Sequence, residues 1–363
     1  EAALIKGVKI FSCKNLEEIY RHFSPKENFS LNNHPETKIN FDDLQREILL
    51  DLSDIKGQET AKRGLEIAAA GGHNILMYGP AGTGKTMLAK AFAGILPPLS
   101  LDEILETTMI HSVAGLLEGP FLTQRPFRSP HHTASYVALV GGGAYPRPGE
   151  ITLSHRGVLF LDEFPEFERR VIEALRQPLE EGNINISRAK ESLTFSARFI
   201  LICAMNPCPC GNLGSKTKPC VCSQGALMKY QRKISGPIMD RIDLWLEVPK
   251  IEHEKLSDIR TTGESSKEIQ QRVIKAREVQ RKRFSGYHKE ILANSEMGVK
   301  ELKKFCLLSG NVTNILNQAA RRLDLSARAY HRIIKISRTI ADLEGSTEIK
   351  EQHILEALQY RPK

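Results

Sequence analysis

The sequence predicts an α/β fold in which a central parallel sheet is flanked by helices, followed by a carboxyl-terminal all-helical region. Three observations predict it. The stretch Gly79-Pro80-Ala81-Gly82-Thr83-Gly84-Lys85-Thr86 stands between a short apolar run at 74–78 and a helical stretch at 87–96, so a glycine-rich loop joins a strand to a helix. Two runs, 157–161 and 199–204, are continuously apolar, as strands covered on both faces are, and 243–248 supplies a last strand. From Ile251 onward the pattern turns helical, at 267–284, 299–306, 312–323, 326–343 and 352–360. These boundaries divide the chain into 1–40, 41–250 and 251–363.

Taken in order, residues 17–23 read as a short helix, and 24–37, polar and carrying Pro25 and Pro35, as a linker. Leu52-Ser53-Asp54-Ile55-Lys56-Gly57-Gln58 leads into a helix at 59–70, with Ala61, Leu65 and Ala68 at helical spacing. Residues 107–111 are expected to be a strand. The region 112–156 is rich in Gly, Pro, Arg and His and reads as a long irregular segment, of the kind that usually carries function. Pro165 suits the start of a helix running to about Glu180. Ile184 and Ile186, then Leu193 and Phe195, alternate with polar residues around Arg188-Ala189-Lys190-Glu191, which predicts a hairpin with a positive tip.

Composition excludes some classes and permits others. Among 363 residues, 41% are hydrophobic and 26% charged, with no apolar run long enough to span a membrane. No signal-peptide pattern opens the chain, so the expected location is cytoplasmic. An excess of 51 Lys and Arg over 43 Asp and Glu gives +8, which permits a polyanionic partner and equally serves solubility. Seven cysteines fit a reduced compartment better than a disulfide framework.

The glycine-rich stretch matches G-x-x-x-x-G-K-[ST], a phosphate-binding loop. Its glycines allow a tight turn whose N–H groups point at phosphate oxygens, and the helix amino end adds partial positive charge. Lys85 would reach the β and γ phosphates of a nucleotide, and the Thr86 hydroxyl would ligate Mg²⁺. Asp162, after a buried strand, is where a carboxylate for that Mg²⁺ belongs, and Glu163 would orient or deprotonate the attacking water. Two surface acids after a strand are the bland alternative. Asn206 would lie near the γ phosphate if its strand lies between the other two, and otherwise it is a turn former. Cys208, Cys210, Cys220 and Cys222 admit three readings: a closed tetrahedral Zn²⁺ site, free thiols or disulfides. Their C-x-C spacing is tighter than the usual C-x-x-C. The pair His131-His132 reads as structural or as a phosphate contact rather than as a metal pair.

Residues 79–86, 158–163 and Asn206 resemble the Walker A, Walker B and sensor 1 elements of AAA+ ATPases. More specific are Phe127-Arg128-Ser129-Pro130-His131-His132-Thr133, Met205-Asn206-Pro207-Cys208-Pro209-Cys210-Gly211, Ser235-Gly236-Pro237-Ile238-Met239-Asp240-Arg241-Ile242-Asp243 and Leu325-Ser326-Ala327-Arg328-Ala329-Tyr330-His331. Over 40–361 the chain resembles the ComM/YifB family, magnesium-chelatase-like AAA+ ATPases related to the MCM helicases. Residues 1–23 resemble the tail of that family's amino-terminal Lon-protease-like domain, and the opening Glu1 suggests that more precedes it. Ala81 stands where many relatives carry proline.

The resemblance implies an AAA+ P-loop fold with a helical lid, ATP and Mg²⁺ as ligands, and a homo-oligomeric, hexameric ring acting on single-stranded or branched DNA. It implies that Arg241 is an arginine finger, that Arg328 is the sensor 2 residue, and that Arg188 and Lys190 sit on a hairpin projecting into the ring's pore. Residues 136–150 correspond to the helix-2 insert of the clade. The expected activity is a branch-migration helicase in recombination during natural transformation. The alternatives are a protein-remodelling or magnesium-chelatase-like motor, and a non-enzymatic nucleotide-gated switch.

Overall fold

The computed structural model describes residues 7–35, 50–143, 147–187, 192–214, 218–251, 263–287 and 291–362. Its centre is a five-stranded parallel sheet. We label its strands and the hairpin in chain order: β1 (Ile75–Tyr78), β2 (Phe127–Arg128), β3 (Val158–Leu161), β4 (Asn183–Ser187), β5 (Ser192–Ser196), β6 (Ile200–Met205) and β7 (Leu244–Glu247). The order across the sheet is β7-β1-β6-β3-β2, every neighbouring pair parallel, with Ile202 beside Ile75 and Ile200 beside Val158. β6 therefore lies between β1 and β3, the condition that places Asn206 beside the phosphate loop.

The continuously apolar strands bury both faces, as their composition requires. Ile75, Met77, Val158, Phe160, Ile202 and Leu246 join one core, while Leu76, Leu159, Leu161, Leu201 and Cys203 join the other. The first core takes in helices α1 (Glu59–Gly71) and α2 (Lys85–Ile95) and continues without a break into α4 (Ser266–Phe284), α7 (Ala327–Leu343) and α8 (Glu351–Gln359). Helices α3 (Leu101–Ala114), α5 (Val299–Phe305) and α6 (Gly310–Arg322) complete the labelled set. The carboxyl-terminal helices thus share a core with the sheet. Polar bonds reinforce the join: the buried Gln280 amide donates to Ala70 O at 2.9 Å, and the Arg277 guanidinium donates to Ala69 O at 3.0 Å.

Several local expectations are corrected. Residues 107–111 are helical, inside α3. Ser100 caps that helix, its hydroxyl accepting from Glu103 N–H while the Glu103 carboxylate accepts from Ser100 N–H, and the Thr107 hydroxyl folds back onto Glu103 O at 2.8 Å. The helix expected from Pro165 to Glu180 is broken into a 3-10 turn, Phe164–Glu166, and two short helices, Arg169–Ala174 and Arg176–Glu181, the second containing Pro178. Within 112–156 lie β2 and the short helices Tyr136–Val140 and Glu150–Leu153. In the expected linker, Asn33–His34 pairs antiparallel with Ile10–Phe11. The hairpin β4–β5 has the expected alternation, Ile184 opposite Phe195 and Ile186 opposite Leu193. Arg188 and Lys190 lie outside the described residues.

Candidate active site

The phosphate loop leaves the carboxyl end of β1. Gly79 N–H donates to Met205 O at 3.3 Å, and a Cβ at Gly79 would stand 2.1 Å from Val248 O, so only glycine lets the loop start so close to β7. Gly82 and Gly84 adopt φ of +73° and +92°, with open space beside both. Pro80 O accepts from the Thr83 hydroxyl at 3.0 Å, and the Gln58 amide ties Thr83 O, at 3.4 Å, to Pro249 O, at 2.7 Å. The segment before α1 therefore braces the loop. Ala81 sits within this turn.

Lys85 opens α2, a helix with no acidic residue in its first turn, so the dipole's positive end is unneutralised. Its ammonium donates to Gly79 O at 2.7 Å, Pro80 O at 2.8 Å and Asn206 Oδ1 at 3.2 Å. Burial pushes the Lys85 pKa below its ordinary value, and Asp162 opposes that shift. The Thr86 hydroxyl donates to Asp162 Oδ2 at 2.8 Å, while Asp162 Oδ1 accepts from Glu163 N–H at 2.9 Å. A hydroxyl and a carboxylate held together are the hard oxygen donors that Mg²⁺ takes, so these residues fit that ion. Glu163 itself has φ of +51°, a left-handed conformation unusual for a non-glycine residue. Its carboxylate is half exposed and lies 3.1 Å from His132 Nδ1, whose ring stacks near His131 and meets the edge of Phe167. A phosphate cradle, a cation, an Mg²⁺ pair and a carboxylate beside them can bind a nucleoside triphosphate and activate water.

Arg241 and Arg328 lie elsewhere. Asn74, which precedes β1, donates its side-chain amide to Arg241 O at 3.1 Å, so Arg241 stands at the amino ends of the strands, opposite the phosphate loop. The four residues of β1 separate the two ends by about 13 Å. The Arg241 guanidinium binds Pro237 O and Glu180, and Arg328, on α7, reaches the same Glu180 carboxylate at 3.6 Å. Both line a cleft of about 950 Å³ that also receives Arg125, Arg156, Arg277 and Lys335.

Sequence reasoning missed Glu180 and Arg332. Buried Arg332 donates to Ile242 O at 2.8 Å and pairs with Asp243 at 2.9 Å, which ties α7 to the segment carrying Arg241. Burial pushes the Asp243 pKa up, but His73, Arg332 and Lys335 outweigh it and hold the carboxyl below the usual range. The available signal was spacing, since Arg332 is one helical turn after Arg328.

The four cysteines do converge. Cys208 Sγ lies 3.4 Å from Cys210 Sγ and 3.7 Å from Cys220 Sγ, Cys210 and Cys220 are 3.6 Å apart, and all four sulfurs fall within 4.8 Å of one another. None of the four is joined in a disulfide, and the group could hold a metal ion.

A five-stranded parallel sheet in this order, with the loop after β1, the acids after β3 and the asparagine after the strand between them, defines an AAA+ nucleotide-binding fold. Comparison with known proteins is more particular. The family described as "Magnesium chelatase, subunit ChlI" matches residues 51–256, and "Magnesium chelatase, subunit ChlI C-terminal" matches 263–361. The chain is 44% identical over 365 residues to competence protein ComM of Haemophilus influenzae, covering 99% of this chain and 69% of ComM. It is 48% identical over 313 residues to the YifB protein of Salmonella typhimurium, covering 86% of this chain and 60% of that one. DNA replication licensing factor mcm-6 of Caenorhabditis briggsae is 25% identical over 223 residues, covering 58% of this chain and 25% of its own length. The chain belongs to the magnesium chelatase ChlI family and, within it, to the ComM/YifB group. The chain spans only 60% of the length of the YifB protein and 69% of that of ComM. No helix among the described residues is long and apolar enough to cross a membrane.

Proposed function

We propose that this chain is the ATP-hydrolysing part of a cytoplasmic, hexameric ring motor that acts on single-stranded or branched DNA as a branch-migration helicase in recombination during natural transformation. One observation carries the ATPase reading. Lys85 meets Asn206, and Thr86 meets Asp162, at one end of the sheet with Glu163 beside them. In this reading the loop 79–86 binds the β and γ phosphates, Thr86 and Asp162 hold Mg²⁺, Glu163 takes the proton of the attacking water, and Asn206 registers the γ phosphate. Mg²⁺ supplies charge neutralisation on the phosphate oxygens.

Arg241 and Arg328 face away from their own loop, so they serve the nucleotide of a neighbouring copy, where positive charge stabilises the transferring phosphoryl group. Glu180 holds both until that partner arrives. Residues 41–250 form the nucleotide-binding domain and 251–363 the lid, joined through Arg332 and Asp243. Zn²⁺ is the ion we assign to the four cysteines.

Support for DNA comes from the likeness to ComM, named as a competence protein, from the +8 net charge, and from a hairpin that directly precedes β6. Arg188 and Lys190 would carry phosphate contacts at its tip. The match to magnesium chelatase subunits favours a second reading, a motor with protein rather than DNA in its pore. The ATPase rate measured with and without branched and single-stranded DNA separates the two. Stimulation by DNA supports the helicase reading, and an unchanged rate at low salt favours the second.

A further inference from the structure

The cysteine cluster stands against the nucleotide site. Gly211, directly after Cys210, has φ of +75°, and a Cβ there would lie 3.7 Å from the Ala81 Cβ and 3.8 Å from Ala81 N, so this turn lies beside the phosphate loop with room for about one methyl group between them. Two residues before Cys208, Asn206 accepts from the Lys85 ammonium. On the far side of the cluster, the helix Gln224–Gln231 brings buried Tyr230 back against the Asn206 backbone. The segment is thus held at Asn206 by Lys85 and Tyr230 and lies beside Ala81 at Gly211, with Cys208 and Cys210 between its two ends.

Sulfur geometry indicates what holds it. Zn–S bonds of about 2.3 Å in a tetrahedron put sulfurs about 3.8 Å apart. Three of the separations, 3.4, 3.6 and 3.7 Å, lie close to that edge. Leu213 N–H donates to Cys208 Sγ at 3.3 Å, the kind of bond that supports a metal-bound thiolate. Cys208 is fully buried and the other three are partly exposed, so an ion would be enclosed on the protein side and reachable from solvent.

We propose that Cys208, Cys210, Cys220 and Cys222 hold one zinc ion as a tetrathiolate, and that this ion braces the Asn206–Gly211 turn on the phosphate loop, so that nucleotide affinity depends on the metal. This rests on the nucleotide reading of the loop. With the metal gone, the turn is free to leave Ala81. If it then occupies the braced position about a tenth of the time, the apparent affinity falls about tenfold.

The test uses the full chain, stripped of metal under reducing conditions and titrated with Co²⁺. A tetrahedral cobalt-thiolate spectrum that saturates at one equivalent and changes in Cys222→Ser is expected. In parallel, binding of a fluorescent ATP analogue is measured with zinc, without it, and after zinc is restored, with circular dichroism confirming that the stripped chain stays folded. About tenfold weaker binding that zinc restores and added Mg²⁺ does not is the expected result. Absence of the cobalt spectrum overturns the metal site. A normal cobalt spectrum with nucleotide affinity unchanged on stripping overturns the brace. A cobalt spectrum in a chain that binds no nucleotide in any metal state overturns the nucleotide reading, and the brace with it, while the metal site stands.

Discussion

Replacing Arg332 by alanine isolates the link between the carboxyl-terminal helices and the segment that carries Arg241. The Arg332 to Asp243 pair closes at 2.9 Å with the two side chains 8% and 14% exposed. At an effective dielectric of about 20, that separation corresponds to roughly 6 kcal/mol of attraction, most of it offset by the cost of removing both charges from water. Removing one partner leaves Asp243 buried, for which a loss of about 3–5 kcal/mol is typical. His73, at 3.5 Å, and the Asn74 N–H, at 3.0 Å, stay on the carboxylate and place the expected loss at the lower end, about 3 kcal/mol.

Urea unfolding measures it, as a lower midpoint at unchanged slope. The pH dependence follows from the depressed Asp243 pKa. A depressed carboxyl contributes stability above its unfolded value, near 3.8, and loses it as pH falls through the folded value, so the gap between wild type and variant should close below about pH 4. Because Ile242 and Asp243 directly follow Arg241, the variant should also lose ATPase activity while still binding nucleotide. A loss below about 1 kcal/mol with an unchanged slope would refute the claim that this pair joins the two regions.

Three further outcomes are expected. Lys85→Ala should lose nucleotide binding, measured with a fluorescent analogue, because three oxygen contacts and the loop's main cation go together. Glu163→Gln should bind normally and hydrolyse about 10²–10⁴-fold more slowly, and a normal turnover would show that this carboxylate does not handle water. Replacing Arg188 and Lys190 together by alanine should leave basal hydrolysis near normal, abolish its stimulation by DNA and reduce the salt slope of DNA binding by about two. Stimulation that survives the double change would remove the hairpin tip from the DNA contact.

How much was legible depended on local chemistry. The loop, β1, β3 and β6 were readable because a strand buried on both faces must be continuously apolar and a phosphate loop needs its glycines at fixed places. The two residues of β2 are too short for any periodicity, so a sheet strand stayed hidden in what read as an irregular segment. Residues 107–111 misled because Thr107, Thr108 and Ile110 suit strands, whereas the deciding signal, Ser100 with Glu103 three residues on, lay upstream. Pro178 carried notice of the broken helix after Pro165. Spacing placed four cysteines near one another but not whether they met, since that depends on how 208–222 folds against Ala81. Glu180, which gathers Arg241 and Arg328, had no pattern to announce it, because the three come from separate elements.

The central claim is that the site is completed by a second copy. Arg241 sits a full strand length from its own Lys85, and an arginine finger contributes on the order of a thousandfold or more in rate. Chains carrying Arg241→Ala and chains carrying Lys85→Ala should each be inactive, and their mixture, with co-assembly confirmed, should regain ATPase activity, because some interfaces pair an intact loop with an intact arginine. No recovery in proven mixed assemblies would contradict the account and return Arg241 to its own chain.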